Sequence, residues 1–308
     1  MEQELLTAED VAKLLRIKKY TVYELIKRGE LPSSKVGKQV RVSRTDISRY
    51  LEAGKTGSAF PRPAPPADSA AENPPASSAV IISGQDMCLD LIVNKIAEAG
   101  VPVLRSYSGC YNSLYALYNG KVTMASSHLW DAQTDTYNYP FIQHLLPGLR
   151  VGILRLAGRM QGLYVKKGNP LGIRDWKDLV RPDVTLINRE KGCGTRILLD
   201  QKLKLLGITA SDIKGYTRES SSHMVCASTV AKGGAGAGCG CERGAETLPG
   251  VDFIPLQLEW YDLVFRLADK YTPALQTILS YVSSADFRQD LEMMRGYDVS
   301  QTGRYEEF

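Results

Sequence analysis

The chain has 308 residues, 44% hydrophobic and 23% charged, with a formal net charge of +4; these are the proportions of an ordinary globular protein of two or three domains. No apolar run reaches the ~18 residues that a bilayer-spanning helix needs, and the acidic start MEQELLTAEDVAK offers no apolar core for a signal peptide, so a cytoplasmic protein is expected. The charge is uneven: residues 1–51 hold 11 Lys and Arg against 7 Asp and Glu while the remainder balances, which points to a small polyanion reader joined to a neutral body.

Thr7-Ala8-Glu9-Asp10 reads as the capping-box start of a first helix that turns Val11, Leu14 and Leu15 inward and ends near Arg16. A second helix runs from about Lys19 to Arg28, with Val22, Leu25 and Ile26 inward and Tyr20, Thr21, Glu24 and Lys27 outward. Lys35-Val36 and Val40-Arg41-Val42 read as short strands across Gly37-Lys38-Gln39, and Ser43-Arg44-Thr45-Asp46 caps a third helix through Leu51. Two helices, a hairpin wing and a third helix make a winged helix-turn-helix, whose second helix enters the major groove while the wing meets phosphate or minor groove.

On these residues the segment LLTAEDVAKLLRIKKYTVYELIKRGELPSSKVGKQVRVSRTDISRYL closely resembles the excisionase-type, MerR-like DNA-binding domain. The resemblance implies DNA contacts from Lys18, Lys19, Tyr20, Thr21, Tyr23, Lys27 and Arg28 about the second helix, and from Lys38 and Arg41 in the wing. The implied partner is double-stranded operator DNA. A homodimer is expected, because one small module makes few phosphate contacts. Residues 52–79 contain six prolines and almost no large apolar side chains, a composition that cannot bury enough surface to fold and reads as a tether. The expected division is therefore a DNA-binding domain over 1–52, a flexible linker over 53–78 and a second domain over 79–308.

From Ala79 onward, short apolar strands alternate with helices. Val80-Ile81-Ile82 runs into Ser83-Gly84, Val101 to Leu104 into Ser106-Tyr107-Ser108-Gly109, and Val122-Thr123-Met124 into Ser126-Ser127-His128. Strands ending in serine and glycine at their carboxyl ends suit an open α/β sheet, which binds ligands at that edge. A crossing segment (Val151 to Val165) leads to a second half, with a strand into Asn188, the turn Arg189-Glu190-Lys191-Gly192-Cys193-Gly194-Thr195-Arg196, a helix opened by Ser220-Ser221-Ser222-His223, and the strand pieces Val251 to Pro255 and Tyr261 to Val264. Two α/β halves joined by crossing strands form a bilobal protein that closes on its ligand. The strand-to-helix turn at Gly192 and Gly194 is an anion-binding candidate: first-turn N–H groups lack intrahelical acceptors, the dipole places positive charge there, and Thr195 is positioned to cap or donate. Neither GxxxxGK[ST] nor GxGxxG is present, so neither a nucleotide loop nor a dinucleotide fold is indicated.

The second domain resembles the cytoplasmic periplasmic-binding-protein-like domains found fused to helix-turn-helix modules. The resemblance rests on Tyr137-Asn138, Arg159, Gln161-Gly162-Leu163, Gly168-Asn169-Pro170, NREKGCGTRILLD, SSHMVCASTVAKGG and Gly296-Tyr297-Asp298-Val299. It implies a type II fold related to molybdate- and tungstate-binding proteins. Where such domains usually read ADxGLG, this chain has Ala235-Gly236-Ala237-Gly238-Cys239-Gly240 and so lacks an acidic residue. Sites of this kind hold a dianion with hydroxyls and backbone N–H groups, which nominates Ser83, Ser108, Ser126, Ser127, Thr195 and Ser222 with the N–H groups near Gly109 and Gly194. Arg189, Arg196, His128 and His223 suit a larger organic anion instead, and Tyr261 and Trp130 are placed to wall the cleft.

No cofactor and no metal are expected. The six cysteines have no framework spacing, Cys239-Gly-Cys241 lacks the second half of a zinc site, and the three histidines are scattered. His128 near Asp131 with Ser126 or Ser127 as nucleophile would make an enzyme, but no GxSxG elbow accompanies them. The expected function is a non-enzymatic, oxyanion-responsive transcriptional regulator, the alternatives being a sensor of an organic anion or a cofactor-handling or enzymatic domain carrying a DNA-binding module. Operator binding should then fall steeply with salt. Lys19→Ala is expected to weaken it at low salt and to lower the slope of log K against log salt by about 0.9, the share of one lost phosphate contact; gel-shift titrations at several salt concentrations check this.

Overall fold

A computed structural model describes residues 5–15, 17–27, 31–36, 39–55, 79–246 and 248–308. The chain divides into two compact units, Met1–Ala76 and Ser77–Phe308. In the first, β1 (Leu5–Thr7), α1 (Ala8–Leu15), α2 (Lys19–Lys27), β2 (Ser34–Val36), β3 (Gln39–Ser43) and α3 (Arg44–Lys55) follow one another. Local chemistry sets both outer helix starts. Thr7 N and Oγ1 donate to Asp10 Oδ2 (3.1 and 2.6 Å) while Asp10 N donates to Thr7 Oγ1 (3.1 Å), and Asp46 N donates to Ser43 Oγ (3.1 Å) while Ser43 Oγ donates to Asp46 Oδ2 (2.6 Å). Each satisfies an orphan first-turn donor.

Val11, Val22, Leu25, Leu31, Val42 and Ile47 close a small core. The strand β1 was not anticipated; three residues are too few to show alternation, and it pairs antiparallel with β3, which also pairs with β2. Lys18, Lys19, Tyr20 and Tyr23 are exposed, so Tyr23 is not core, and Thr21 and Arg41 are half-buried. Arg28, Lys38 and the side chain of Lys27 lie outside the described residues. Helix α3 runs to Lys55, three residues into the stretch assigned to the linker, and 56–78 lie outside the described residues.

The second unit is built on two 16-residue strands, β9 (Val151–Lys166) and β13 (Val251–Arg266). They pair antiparallel from Val151↔Arg266 to Lys166↔Val251, with irregularities at Pro255/Gln257 and Tyr261/Asp262; the two apolar pieces read between Val251 and Val264 are therefore one strand. At one end, β13 carries β6 (Met124–Ser127), beside which lie the parallel strands β4 (Val80–Ser83) and β5 (Val103–Ser106). At the other end, β9 carries β12 (Ala237–Cys241), beside which lie the parallel β10 (Leu186–Arg189) and β11 (Glu219–Ser220). The result is two lobes sharing a pair of strands. The short β14 (Tyr297–Asp298) and β15 (Tyr305–Glu307) cover the remaining edge of β9, at Gly158–Arg159 and Gly152–Leu154.

Helices α4 (Cys88–Glu98) and α5 (Cys110–Tyr118) follow β4 and β5 and cover the first lobe, and α7 (Gly194–Leu205) and α8 (His223–Ala231) follow β10 and β11 in the second. Between the lobes come the β7 (Trp130–Asp131) and β8 (Thr136–Tyr137) hairpin and α6 (Tyr139–Leu145); α9 (Arg243–Glu246), α10 (Pro273–Val282) and α11 (Ala285–Met294) complete the set. Because parallel strands all point the same way, the carboxyl ends of both lobes' strands meet near the middle of β9 and β13. A Cβ built on Gly162 would stand 1.9 Å from the Ile254 carbonyl oxygen across this pair. Gly162→Ala is therefore expected to cost roughly 1–3 kcal/mol by overpacking and to lower the melting temperature of this unit by roughly 3–10 °C, read by calorimetry.

Candidate functional site

Two helix starts face each other across the lobes. Gly109 is the N-cap of α5 and Cys193 the N-cap of α7, neither with a side-chain cap. Tyr111 N donates to Gly192 O (3.1 Å), and a Cβ on Gly109 would lie 3.0 Å from Gly192 O and 3.2 Å from Cys193 Cα. Glycine at 109 is what lets the lobes approach this closely. Gly192 takes φ +84°, and a Cβ on Gly194 would lie 2.5 Å from His128 Cε1, so its bareness serves an imidazole. A small cavity lies between the helix starts. The first lobe lines it with Gln85, Asp86, Ser108, Gly109, Cys110, Ser126 and His128, the second with Cys193 and His223, and the shared strands with Arg159 and Tyr261. The centre of a water-sized sphere has about 20 Å³ to move in there, room for roughly one or two waters or a compact anion of about five heavy atoms.

A chain of alternating charge runs beneath this cavity. Arg159 donates Nη1 to Asp86 Oδ2 and Nη2 to Glu259 Oε1, and His128 Nδ1 donates to Glu259 Oε2 (2.6 Å). Asp86 also accepts from Tyr297 OH (2.6 Å) and Cys88 N (2.8 Å). Gln161 Nε2 donates to Glu259 Oε1 (2.8 Å) and Thr195 Oγ1 donates to Gln161 Oε1 (3.0 Å). Burial opposes ionisation of Asp86, but Arg159 together with the hydrogen bonds from Tyr297 and Cys88 outweighs it and holds the carboxyl at about 2. Burial likewise opposes charge on His128, but the Cys110 sulfur and Glu259 outweigh it and hold the imidazolium to about pH 10. Cys110 is lowered in turn: burial raises it, and the charge and hydrogen bond of His128 prevail. His223 is pushed well below its ordinary value by burial and by Arg189 and Arg159. The Arg159 guanidinium also stacks 4.0 Å over the Tyr261 ring, whose hydroxyl donates to Ser126 Oγ (2.7 Å).

Of the residues nominated from sequence, Ser108, Gly109, Ser126, His128, His223 and Tyr261 line the cavity. Ser222 caps α8, accepting from Val225 N (3.1 Å), and with His223 lines an outer vestibule of about 480 Å³ whose walls include Met87, Tyr107 and Met224. The others are turned elsewhere. Ser83 shares a hydrogen bond with Ser113 (2.8 Å), Ser127 donates to Asn138 Oδ1 (2.7 Å), and Thr195 holds Gln161 rather than capping. Gly194 is packed on His128. Arg189 is fully buried on Glu190, Gln85 and the Ser220 and Ser221 carbonyls. Arg196 pairs with Asp200 and Glu219 and lies 4.2 Å over Tyr216, and Trp130 packs in the second lobe's core. Both arginines are thus matched by carboxylates. The sequence analysis does not single out Asp86, Cys110, Cys193 and Glu259 as a group and gives Arg159 no role; Arg159, like Arg155 and Gln161, interrupts a largely apolar strand, a signal present in the sequence.

Residues 93–283 match the model of the PBP superfamily domain. The chain belongs to the PBP superfamily. Residues 5–55 match a helix-turn-helix domain, so a DNA-binding module precedes the PBP-like ligand-binding domain. The uncharacterized protein YvgK of Bacillus subtilis is 39% identical over 97% of this chain and 96% of its own length. Among solved structures, a putative phosphate ABC transporter substrate-binding protein with bound phosphate from Clostridium perfringens has TM-score 0.54 at 14% identity over 72% of this chain and 100% of that one. The tungstate ABC transporter from Geobacter sulfurreducens has TM-score 0.54 at 14% identity over 71% and 99%. At that identity the likeness establishes the type II PBP fold. The helix-turn-helix and PBP-like pairing is that of a ligand-responsive regulator.

The opposed pKa shifts in this PBP-like domain give a direct check. Across pH 7.5–8.5, His128 is expected to stay charged and His223 neutral, so neither imidazole titrates; histidine ring 1H and 15N shifts followed over that range test it, and a midpoint for either inside the range contradicts the charge chain.

Proposed function

We propose that this chain is a transcriptional regulator that binds operator DNA through its N-terminal domain and a small tetrahedral oxyanion, of the molybdate or tungstate kind, in the cleft of its PBP-like domain, working as a cytoplasmic homodimer and not as an enzyme. The observation that carries the reading is the convergence of two helix N-termini from opposite lobes, those of α5 and α7, on one small buried polar cavity. First-turn N–H groups and the dipoles behind them favour an anion there.

Three further points support it. Arg159 and His128 are matched by Asp86 and Glu259, so the anion's charge is met by N–H groups and by the Ser108 and Ser126 hydroxyls rather than by a spare cation. Arg159 Nε is buried with no acceptor among the described residues, a deficit of about 1–3 kcal/mol that a ligand oxygen would relieve. The inner cavity is far below the ~300 Å³ or more of usual organic-ligand sites, and the Geobacter and Clostridium neighbours handle tungstate and phosphate, both tetrahedral oxyanions. The vestibule, with its Met87, Tyr107 and Met224 walls, favours a second reading, an organic anion whose charged head enters the inner cavity.

Calorimetric titration of the reduced protein with molybdate, tungstate, sulfate and phosphate tests the reading. At least one should bind, and Ser126→Ala should weaken it roughly tenfold to a hundredfold, the worth of a charge-assisted hydrogen bond. Gly109→Val, whose side chain would meet the Gly192 and Cys193 backbone, should weaken it at least as much, compared on protein that its melting curve shows to be folded. Absence of binding by all four anions to folded protein would sink the oxyanion reading.

A further inference from the structure

Two of the cavity's walls are thiols, one from each lobe. Cys110 is the first residue of α5 and Cys193 the N-cap of α7, and the segments that carry them touch, through Tyr111 N to Gly192 O at 3.1 Å and the contact of Gly109 with the Cys193 backbone. Cys110 and His128 line the same cavity, close enough for the His128 charge to lower the thiol, and His128 Nδ1 is held by Glu259 at 2.6 Å. Thiol, imidazole and carboxylate thus share one buried cluster, at a helix N-terminus, on a cavity with room for a molecule of roughly one or two waters' size. The oxyanion reading uses the serines and N–H groups of this cavity but gives its sulfurs nothing to do.

We propose that Cys110 is a hydroperoxide-reactive site, with Cys193 as the thiol that resolves it into a disulfide across the lobes. The Cys110 thiolate attacks one oxygen of hydrogen peroxide; the S–O bond forms as the O–O bond breaks, and the departing hydroxide takes the His128 proton and leaves as water. The Cys193 sulfur then attacks the Cys110 sulfenic acid. The S–S bond forms as the S–O bond breaks, and the hydroxyl leaves with the Cys193 proton as a second water. Two thiols and one peroxide become one disulfide and two waters, and a thiol reductant reverses the change. Entry is by the vestibule, which shares Gln85, Asp86 and His223 with the inner cavity. Such a bond would fasten the lobes in their closed arrangement whether or not an anion is present.

The electrostatics agree with the geometry. Cys88, Cys193, Cys226, Cys239 and Cys241 are all pushed up by burial, whereas His128 lowers Cys110. A buried thiol without such a partner is inert.

The proposal rests on the closed cavity of the reading above but not on what anion it binds, and its test contains no anion. The full-length reduced protein is treated with equimolar hydrogen peroxide at neutral pH, quenched by alkylation, and digested without reductant for mass spectrometry. A Cys110–Cys193 peptide pair lacking two hydrogens and restored by dithiothreitol is expected, with Cys110 consumed at least about tenfold faster than Cys88, Cys226, Cys239 and Cys241. Cys193→Ala should leave a dimedone-reactive Cys110 instead, and His128→Gln should slow the reaction while the melting curve reports that it is folded. Oxidation of Cys110 no faster than of the other thiols, or its pairing with a cysteine other than Cys193, overturns the proposal; the wild-type digestion alone decides this should either variant fail to fold. An unreactive Cys110 in a protein that binds molybdate, or the reverse, separates the two readings.

Discussion

Arg159 sits in the middle of β9, directly across from Glu259 on β13, and its two amino groups are divided between Glu259 and Asp86. Asp86 belongs to the first lobe, and Glu259 passes the charge on to His128 and, through Gln161, to Thr195 at the start of α7. Removing one member of a buried pair leaves an uncompensated charge, which costs about 3–5 kcal/mol. The chain therefore acts as a single unit: it sets the closed geometry of both lobes, keeps His128 charged, and through His128 sets the state of the Cys110 thiol. It also leaves each of the two cations at the cavity floor, Arg159 and His128, paired with a carboxylate.

Much of the architecture was legible from local signals. The caps at Thr7 and Ser43, the wing and most of the inward residues of α1 and α2 follow from rules that operate within a few residues; Leu14, expected inward on α1, is instead exposed, because in so small a module the inward stripe of a two-turn helix is narrower than its apolar sequence. The alternation of strands and helices after Ala79 and the crossing strand β9 are also plain, because a strand buried on both faces shows as a long apolar run, whereas β13, half-buried over most of its first ten residues, reads as two separate pieces. What could not be read was the parity of side chains at strand ends. Ser126 and Ser127 are neighbours on β6, yet successive residues point to opposite faces: one meets Tyr261 at the cavity and the other meets Asn138 in a buried network with Asp262 and Arg155. Sequence alone gave both the same role.

The charge chain was hidden for a different reason. Asp86, Arg159 and Glu259 are separated by some 70 and 100 residues; the register of β9 on β13 brings Arg159 to Glu259, and the turn between β4 and α4 brings Asp86 to Arg159. The same holds for Cys110 and Cys193, which in sequence are two unremarkable free thiols and in the fold occupy opposing helix starts. Arg189 and Arg196 show the converse. Their position beside a glycine turn suggests free charge aimed at a ligand, and in the fold Glu190 and Asp200, close to them in sequence, pair with them, while Arg189 Nη1 is buried with no acceptor among the described residues.

The edge of β9 opposite β13 is shared by three segments. β15 and β14 cover it up to Arg159, and β12 takes over at Gln161, so Met160 is the one residue of that stretch at which the strand changes from the first lobe's neighbours to the second's. The changeover leaves no gap, because the Met160 carbonyl accepts from Glu242 N (2.9 Å) and Met160 pairs with Leu258 on β13. It adjoins the Arg159–Glu259 pair, so the seam between the two lobes' edge segments and the floor of the cavity are built from the same few residues, and a substitution at either the carboxylate or the guanidinium reaches both.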